Sequence, residues 1–490
     1  MLSAVLTNAE MARADALAEA AGSPVDALMR AAGCAVATVV MARFPRGRVL
    51  VLCGPGNNGG DGYVAAAALR ARGRSVTAAS LGDPPPATGA AGRAAQRWDA
   101  RIPRADAGSI VDCDIVVDAL FGAGLSRPLA GEALALVEAL ARSGKPVVAI
   151  DVPSGLDGDS GLVRGAAAPA SATVTFFRKK PGHLLLPGRD LCGDLILTDI
   201  GLPDSILPAI DPATAENHPA LWRNALPRSA TADHKFRRGH ALVVGGAALT
   251  GAAQLAARAA LRAGAGLVTI VAPGPASTIH RAGEPAVMVE ALDGGRGLAA
   301  HLDDPRRRAI LVGPGNGRGG ETRDWTQAAL ATGRPVVLDA DALSVAGEAP
   351  ARLFGAIRGP VVMTPHEGEF ARLFDVAGDK LSRARQAAAI SGAVVLLKGA
   401  DTVVAHPDGR AVVNANAPPS LATAGSGDVL AGIVVGLLAR GVGAFDAACA
   451  AAWLHGEAAQ GFGPGLIASD LPAALRDALA VVSALDPKSS

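Results

Sequence analysis

An excess of charge of either sign is missing from this 490-residue chain: 46 lysines and arginines face 45 aspartates and glutamates. No basic field exists to hold a phosphate backbone, and aromatics, at 3%, offer few faces for stacking bases. Nucleic acid is not an expected partner. Cysteine is scarce as well. Cys34, Cys53, Cys113, Cys192 and Cys449 are odd in number, widely spaced, and form no C-x-x-C. That argues against a disulfide framework or a zinc site and fits a reducing cytoplasm. Long apolar runs are lacking too. Runs such as 429–439 (VLAGIVVGLLA) stop at Arg440, short of the ~18 residues that span a bilayer. The first residues, MLSAVLTNAEMARAD, carry no basic region and meet Glu10 early, so neither a signal peptide nor a membrane partner is expected.

What is present is ample apolar material: half the residues, with 19% charged. Such a chain buries large cores. Its length exceeds the ~250–300 residues at which single cores stop growing, which predicts two domains. Thr7-Asn8-Ala9-Glu10 predicts a capping box, Gly22 ends that helix, and Ser23-Pro24 starts the next. RVLVLC (48–53) reads as a strand and GYVAAAALRARG (62–73) as a helix. SVTAAS (75–80), DIVVDAL (114–120) and PVVAID (146–151) read as further buried strands. Continuous apolar strands between helices predict a parallel sheet covered on both faces. Prolines 203, 208, 212, 219 and 227 punctuate a connector over about 203–228. The alternation then restarts with HALVVGG, a helix at 251–263, LVTIVAP, AILVGPG, PVVLDA, PVVMTP and AVVLLKG. The expected fold is therefore α/β in two domains, 1–215 and 229–490.

Residues 54–62, GPGNNGGDG, satisfy G-x-G-x-x-G through Gly54, Gly56 and Gly59. That pattern predicts a strand, a tight turn and a helix start near phosphate. A dehydrogenase does not follow. The next strand ends in Ala79-Ser80, with no acidic residue to take a ribose hydroxyl. Three polar clusters instead fall at strand C-termini: Asn57/Asn58/Asp61, then Asp118 with FGAGLSRP (121–128), then Asp151 with VPSG. Ligands of open parallel sheets bind at that rim. The Asn58 amide, the Asp118 carboxylate and the Ser154 hydroxyl suit a hard cation, and their spacing does not select which one.

In the second domain LATAGSGDVLAGIVVGLLARG (421–441) places Gly425-Ser426-Gly427 and Asp428 before a long apolar helix. The turn and helix N-terminus make an anion hole, where Asp428 could take a proton from a hydroxyl attacking a phosphoryl group. The same carboxylate would also stabilise the helix end. Lys398-Gly399-Ala400-Asp401-Thr402 ends another strand and suits a clamp on nucleotide phosphate or ribose. TPHEGE (364–369) holds His366, Glu367 and Glu369, but its spacing is not H-E-x-x-H. Substrate contact or helix capping is the better reading of His366.

The series VLTNAEM, GPGNNGGDG, DALFGAGLSR and AIDVPSGLDGDSG resembles the NAD(P)H-hydrate epimerase domain, a Rossmann-like fold, over about 1–215. The resemblance implies that the R and S epimers of NADHX and NADPHX, hydrated at C6 of the nicotinamide, are interconverted with a potassium ion bound nearby. It assigns potassium to Asn58, Asp118 and Ser154. It assigns the substrate to Asn57, Asn58, Gly59, Gly60 and Asp61, to Gly122, Ala123, Gly124, Leu125, Ser126, Arg127 and Pro128, and to Asp151. Asp151 is the expected proton-transferring group.

From 229 to 490, HKFRRGHALVVGGA, GAAQLAARAALRAGAGLVT, GPGNG, DADAL, TPHEGE, LLKGADT and TAGSGDVLAG resemble, in that order, the ribokinase-like NAD(P)H-hydrate dehydratase domain. The resemblance implies Ala253, Gly317, His366 and Asp428 as contacts to the hydrate, with Asp428 as base. It implies Lys398, Gly399, Ala400, Asp401, Thr402 and Gly427 as nucleotide contacts. Bacterial members use ADP as co-substrate, which is the expectation here, with magnesium accompanying its phosphates. Asn316 stands where the family shows an apolar residue. A homo-oligomer is expected. Two rival readings stay open: a small-molecule kinase fused to a nucleotide-binding domain, and a non-catalytic nucleotide-binding protein.

Overall fold

A computed structural model describes residues 3–228, 230–231, 233–292 and 297–485. The chain divides into two compact units, Met1–Ala215 and Glu216–Ser490.

The first unit is built on a six-stranded parallel sheet. Its order is Val76–Ser80, Val49–Cys53, Ile115–Ala119, Val147–Ile150, Ala172–Phe176 and Asp194–Thr198. Both faces are covered, and alternation along the strands shows it. Val49, Val51 and Cys53 enter one core cluster, with Tyr63, Leu69 and Val36. Leu50 and Leu52 enter the other, with Leu136, Val137 and Leu140. A side-chain period of two with both faces buried leaves no polar position, which is why these strands read as unbroken apolar runs. Each such side chain contributes about 1.5–3 kcal/mol by leaving water.

The helix expected over 62–73 begins earlier, at Asn57, and ends at Ala71. The asparagines and Asp61 therefore stand on its first turns. Glycine is required at Gly54 and Gly59 for close approach. A Cβ on Gly54 would lie 1.7 Å from the Leu120 carbonyl oxygen, and one on Gly59 would lie 1.9 Å from that of Gly54. The first helix, Asn8–Ala20, has the predicted capping box between Thr7 and Glu10. The next, Val25–Arg43, is the one described helix long and apolar enough to cross a membrane. Its Met29, Ala32, Val36, Ala37 and Val40 pack into the sheet core.

The stretch expected as a connector carries short elements. Ile206, Leu207 and Ile210 pack with Leu6, Ala14, Ala18 and Phe177 in the first unit. Asn217 and Trp222 belong to the second, where the Asn217 amide donates to the Asn414 side chain and the Cys449 carbonyl.

The second unit contributes nine strands in the order Ala411–Asn414, Thr402–Ala405, Val394–Leu397, Val361–Met363, Val336–Leu338, Arg307–Val312, His240–Val244, Leu267–Pro273 and Met288–Leu292. The first two pair antiparallel and the other seven run parallel. The helix Ser426–Ala439 is apolar all round because it is buried all round from Val429 onward. Gly432 and Gly436 let it cross Thr250–Arg262 backbone to backbone. A Cβ on either would lie 2.2 or 2.6 Å from the Ala256 or Ala260 carbonyl oxygen.

Candidate functional site

In the first unit the strand order reverses between Val49–Cys53 and Ile115–Ala119. Loops leaving a reversal point diverge and leave a crevice. A cleft of about 620 Å³ lies there. Among the residues lining it are Asn57, Asn58, Asp61, Gly122 through Arg127, Asp151 and Lys180. Three residues expected to contact substrate do not line it. Gly59 and Gly60 lie on the buried side of the helix Asn57–Ala71, and Pro128 lies outside.

Asp151 stands at the end of its strand with φ of 67°. That left-handed conformation is costly for a residue with a Cβ and persists only where neighbours enforce it. Here they do. The Asp151 amide donates to the Val174 carbonyl, and the His183 Nε2 lies 2.7 Å from the Asp151 carbonyl oxygen. The Lys180 amide donates to His183 Nδ1, so Nε2 carries the proton and donates it. Burial, then the Lys180 ammonium, drives the His183 pKa down to about 4, leaving the ring neutral.

The Asp151 carboxylate is fully occupied. Oδ1 lies 2.5 Å from the Lys180 Nζ and accepts from Thr175 Oγ1, while Oδ2 accepts from the Ala123 amide. Burial works against its charge, but Lys180, His183 and the Ala123 amide together outweigh burial and hold its pKa at about 2. The expectation that Asp151 transfers the proton meets this obstacle: a carboxylate so held is a persistent anion, not a donor at neutral pH. Lys180 and His183 were not anticipated from the sequence. They follow Asp151 by 29 and 32 residues and announce no motif.

Asp118 and Ser154 are both fully buried. Ser154 Oγ donates to Asp118 Oδ1 at 2.5 Å, the Ser154 amide donates to Oδ2 at 2.8 Å, and the Phe121 amide donates to Ser154 Oγ. Burial raises the Asp118 pKa, and its bonds with Ser154 pull it back only in part. With its amide oriented to satisfy both ends, Asn58 donates to the Ile150 carbonyl and accepts from the Gly122 amide. All three side chains thus gather on the loop at 121–122. Among the described residues no bond joins Asn58 to the other two.

In the second unit the reversal falls between His240–Val244 and Arg307–Val312. Asn316 stitches the two following loops together. Its Oδ1 accepts from the Gly313 amide and its Nδ2 donates to the Val244 carbonyl, both at 2.7 Å. The departure from an apolar residue here therefore supplies two hydrogen bonds. Gly317 has φ of 83°, and its amide donates to Asp341 Oδ2.

The expected nucleotide clamp is more engaged than its sequence suggests. Lys398 Nζ lies 2.7 Å from Asp339 Oδ1 and 3.8 Å from Glu369 Oε2. Burial opposes the ammonium, but Asp339, Glu369 and Asp428 together outweigh it and raise the Lys398 pKa. Asp401 is paired with Lys380 at 2.6 Å, and Thr402 Oγ1 donates to the Gly399 carbonyl. Gly399 and Ala400 form the exposed tip, where the Gly399 amide donates to Thr402 Oγ1. Asp339 was not anticipated.

At the anion hole, Gly425 adopts φ of 90°, and the helix starts at Ser426. A Cβ on Gly427 would lie 3.5 Å from the Lys398 Nζ, so the ammonium and helix N-terminus share one site. Asp428 stands there with no hydrogen bond or ion pair among the described residues. Burial, then the Asp339 charge, raises its pKa to about 7.

Two expected contacts look different in place. Ala253 is fully buried in Thr250–Arg262 and presents no surface. His366 caps the helix Glu367–Leu373: its Nδ1 accepts from the amides of Gly368 and Glu369.

Residues 241–479 match the family described as NAD(P)H-hydrate dehydratase, and residues 25–182 match that described as YjeF-related protein N-terminus. The chain is 37% identical over 487 residues to a bifunctional NAD(P)H-hydrate repair enzyme of Moorella thermoacetica, covering 93% of this chain and 91% of the relative. With the protein of the same description from Escherichia coli K12 the identity is 35%, covering 93% and 89%. Among solved structures, the ADP/ATP-dependent NAD(P)H-hydrate dehydratase of Bacillus subtilis, co-crystallized with ATP and Mg2+, is 28% identical. It covers 55% of this chain and 98% of that one, with a TM-score of 0.48.

Proposed function

The chain belongs to the bifunctional NAD(P)H-hydrate repair enzymes, and from that premise we propose how its two units divide the work. The first interconverts the R and S epimers of NADHX and NADPHX. The second dehydrates the S form to NAD(P)H at the expense of ADP, releasing AMP and phosphate. The carrying observation is that each unit has its own strand-end carboxylate site, in a chain matched over its length by bifunctional relatives.

In the first unit the substrate would lie in the cleft between Asn57, Asn58, Asp61 and the 122–127 loop. The fixed Asp151 anion favours positive charge developing on the ring when the C6 hydroxyl departs. Lys180 and His183 are positioning residues: one holds the anion and the other its backbone. Asp118, Ser154 and Asn58 fit a potassium ion, because Asp118 is a fully buried carboxylate that no cationic side chain reaches among the described residues. Bound there, potassium would supply the missing countercharge. Epimerisation should rise with added potassium in the wild type. Asp118→Asn should abolish that dependence and cut the rate at least tenfold at saturating potassium, which rates across a potassium titration would check.

In the second unit Asp428 takes the proton from the C6 hydroxyl as it attacks the terminal phosphoryl group of ADP. The amides at Gly425–Gly427 and the Lys398 ammonium face the phosphates. Phosphate then replaces hydroxide as the leaving group, the ring nitrogen lone pair expels it, and loss of a proton from C5 of the resulting iminium gives NAD(P)H. Magnesium suits this site as a companion of the phosphates, since Asp339 and Glu369 are drawn to Lys398 and leave no dedicated cage. Bound with ADP, it would neutralise phosphoryl charge.

The test is recovery of the reduced-nicotinamide absorbance from separate R and S hydrates, with ADP or ATP. The S hydrate with ADP should recover at once, and the R hydrate with a lag set by epimerisation. No recovery from either epimer with either nucleotide would reject the dehydratase reading.

A further inference from the structure

We propose that Asp61 is the acid that protonates the departing C6 hydroxyl of the hydrate during epimerisation. The inference rests on the epimerase reading of the first unit and adds the group that moves the proton.

The reaction needs two things from one cleft. Hydroxide leaves C6 poorly, so its oxygen must gain a proton. The ring left behind is a cation and needs a fixed anion beside it. Asp151 is built for the second task and disqualified from the first. Both its oxygens are engaged, by Lys180, Thr175 and the Ala123 amide.

Asp61 is in the opposite condition. It stands on the first turns of Asn57–Ala71, lines the same cleft and is partly buried there. Among the described residues no hydrogen bond or ion pair reaches its carboxyl. Burial, then the Asp151 charge, then that of Asp15, pushes its pKa well above the ordinary carboxylate value. Two carboxyls in one cleft, driven apart by their surroundings, divide into an acid and an anion.

The other titratable and charged groups facing this space are few. Asp15 comes from the first helix and is exposed at the rim. Lys180 is committed to Asp151. Arg127, on the 122–128 loop, is exposed. The helix Val25–Arg43 offers only Val25, Leu28, Met29 and Ala32. His183 has both ring nitrogens engaged. Asp61 is thus the one partly buried acid facing the cleft without a partner among the described residues.

The step balances without a redox partner. The Asp61 carboxylic acid gives its proton to the C6 hydroxyl. The C6–O bond breaks, and both electrons leave with water. The ring nitrogen lone pair forms the N1=C6 iminium beside Asp151. Water then adds to the other face of C6, and its surplus proton returns to the Asp61 carboxylate through water in the open cleft.

The experiment uses the full chain and follows R-to-S conversion chromatographically, without ADP, from pH 6 to 10. Wild-type kcat should fall as pH rises, because the active form of Asp61 is protonated. Asp61→Asn should lower kcat about 10²–10³-fold with little change in KM and should lose that alkaline limb. Asp61→Glu should recover part of kcat and restore the limb. Asp61→Asn at wild-type kcat, or with only a raised KM, would overturn the assignment. So would a flat wild-type profile, which depends on no variant. Absence of any interconversion by the wild type would instead remove the epimerase reading, and this assignment with it.

Discussion

Asp428→Asn should lower the rate of S-hydrate dehydration by about 10³-fold, within the range usual for removing a general base. It keeps the size of the side chain and removes the site that accepts the proton. The wild type should show the corresponding pH dependence. With a pKa raised to about 7 by burial and the neighbouring Asp339, Asp428 is the ionised base only above that value. The kcat/KM for dehydration should therefore climb through an apparent pKa near 7, as measured on the free enzyme. Stability should move the other way. A carboxyl whose folded pKa is raised above its unfolded value destabilises the fold once ionised. That cost begins near pH 4 and is complete above about 7. Asp428→Asn should accordingly be more stable than the wild type at pH 8, by a few kcal/mol reduced by partial exposure, and equal to it near pH 4. Thermal unfolding at the two pH values checks this. Loss of both activity and stability at pH 8 would instead mark a structural role.

Lys180→Met should destabilise the first unit by about 3–5 kcal/mol at pH 7, because it strands the Asp151 carboxylate without its partner in a buried site. In a unit of this size that lowers its melting temperature by roughly 10 °C. Lys180 is 3% exposed and Asp151 18%, so solvent does little to soften the loss. The sign with pH is fixed by the depressed Asp151 pKa of about 2. The pair stabilises above the ordinary carboxylate value, and its contribution fades as pH falls through about 2. The difference between wild type and variant should thus be largest near neutrality and shrink below pH 4. Epimerisation should be lost together with stability. Lys180→Met combined with Asp151→Asn should regain most of the stability and none of the activity, and unfolding of the four proteins of that cycle measures the coupling. Equal melting of Lys180→Met and wild type would contradict the buried-pair account.

Much of this was legible in advance because it is local. A strand buried on both faces has no polar position, so Val49–Cys53 and Ile115–Ala119 announce themselves. The C-terminal ends of such strands border the crevice, so Asp118, Asp151 and Lys398 stand out by place. The sequence predicts a turn over the first residues of Asn57–Ala71, because Asn57, Asn58, Gly59 and Gly60 are poor helix formers. Close packing overrode propensity, since Gly59 and Gly60 sit where a side chain would strike Gly54 and Met29.

The sequence by itself determined two α/β units, the strand ends that carry their chemistry, and the family. All three follow from short-range pattern: periodicity, turn residues and the order of motifs. Only the tertiary structure decided what each charged group is for. Asp61 and Asp151 are the same side chain on the same rim. Lys180, folded in from 29 residues further on, holds Asp151 as an anion. Asp61, crowded by protein and by two other carboxylates, has its pKa pushed well above the ordinary carboxylate value. Lys398 and Asp428 divide in the same way around Asp339. Ionisation depends on distance through space and on exclusion from water, and neither is written in the spacing of residues along a chain.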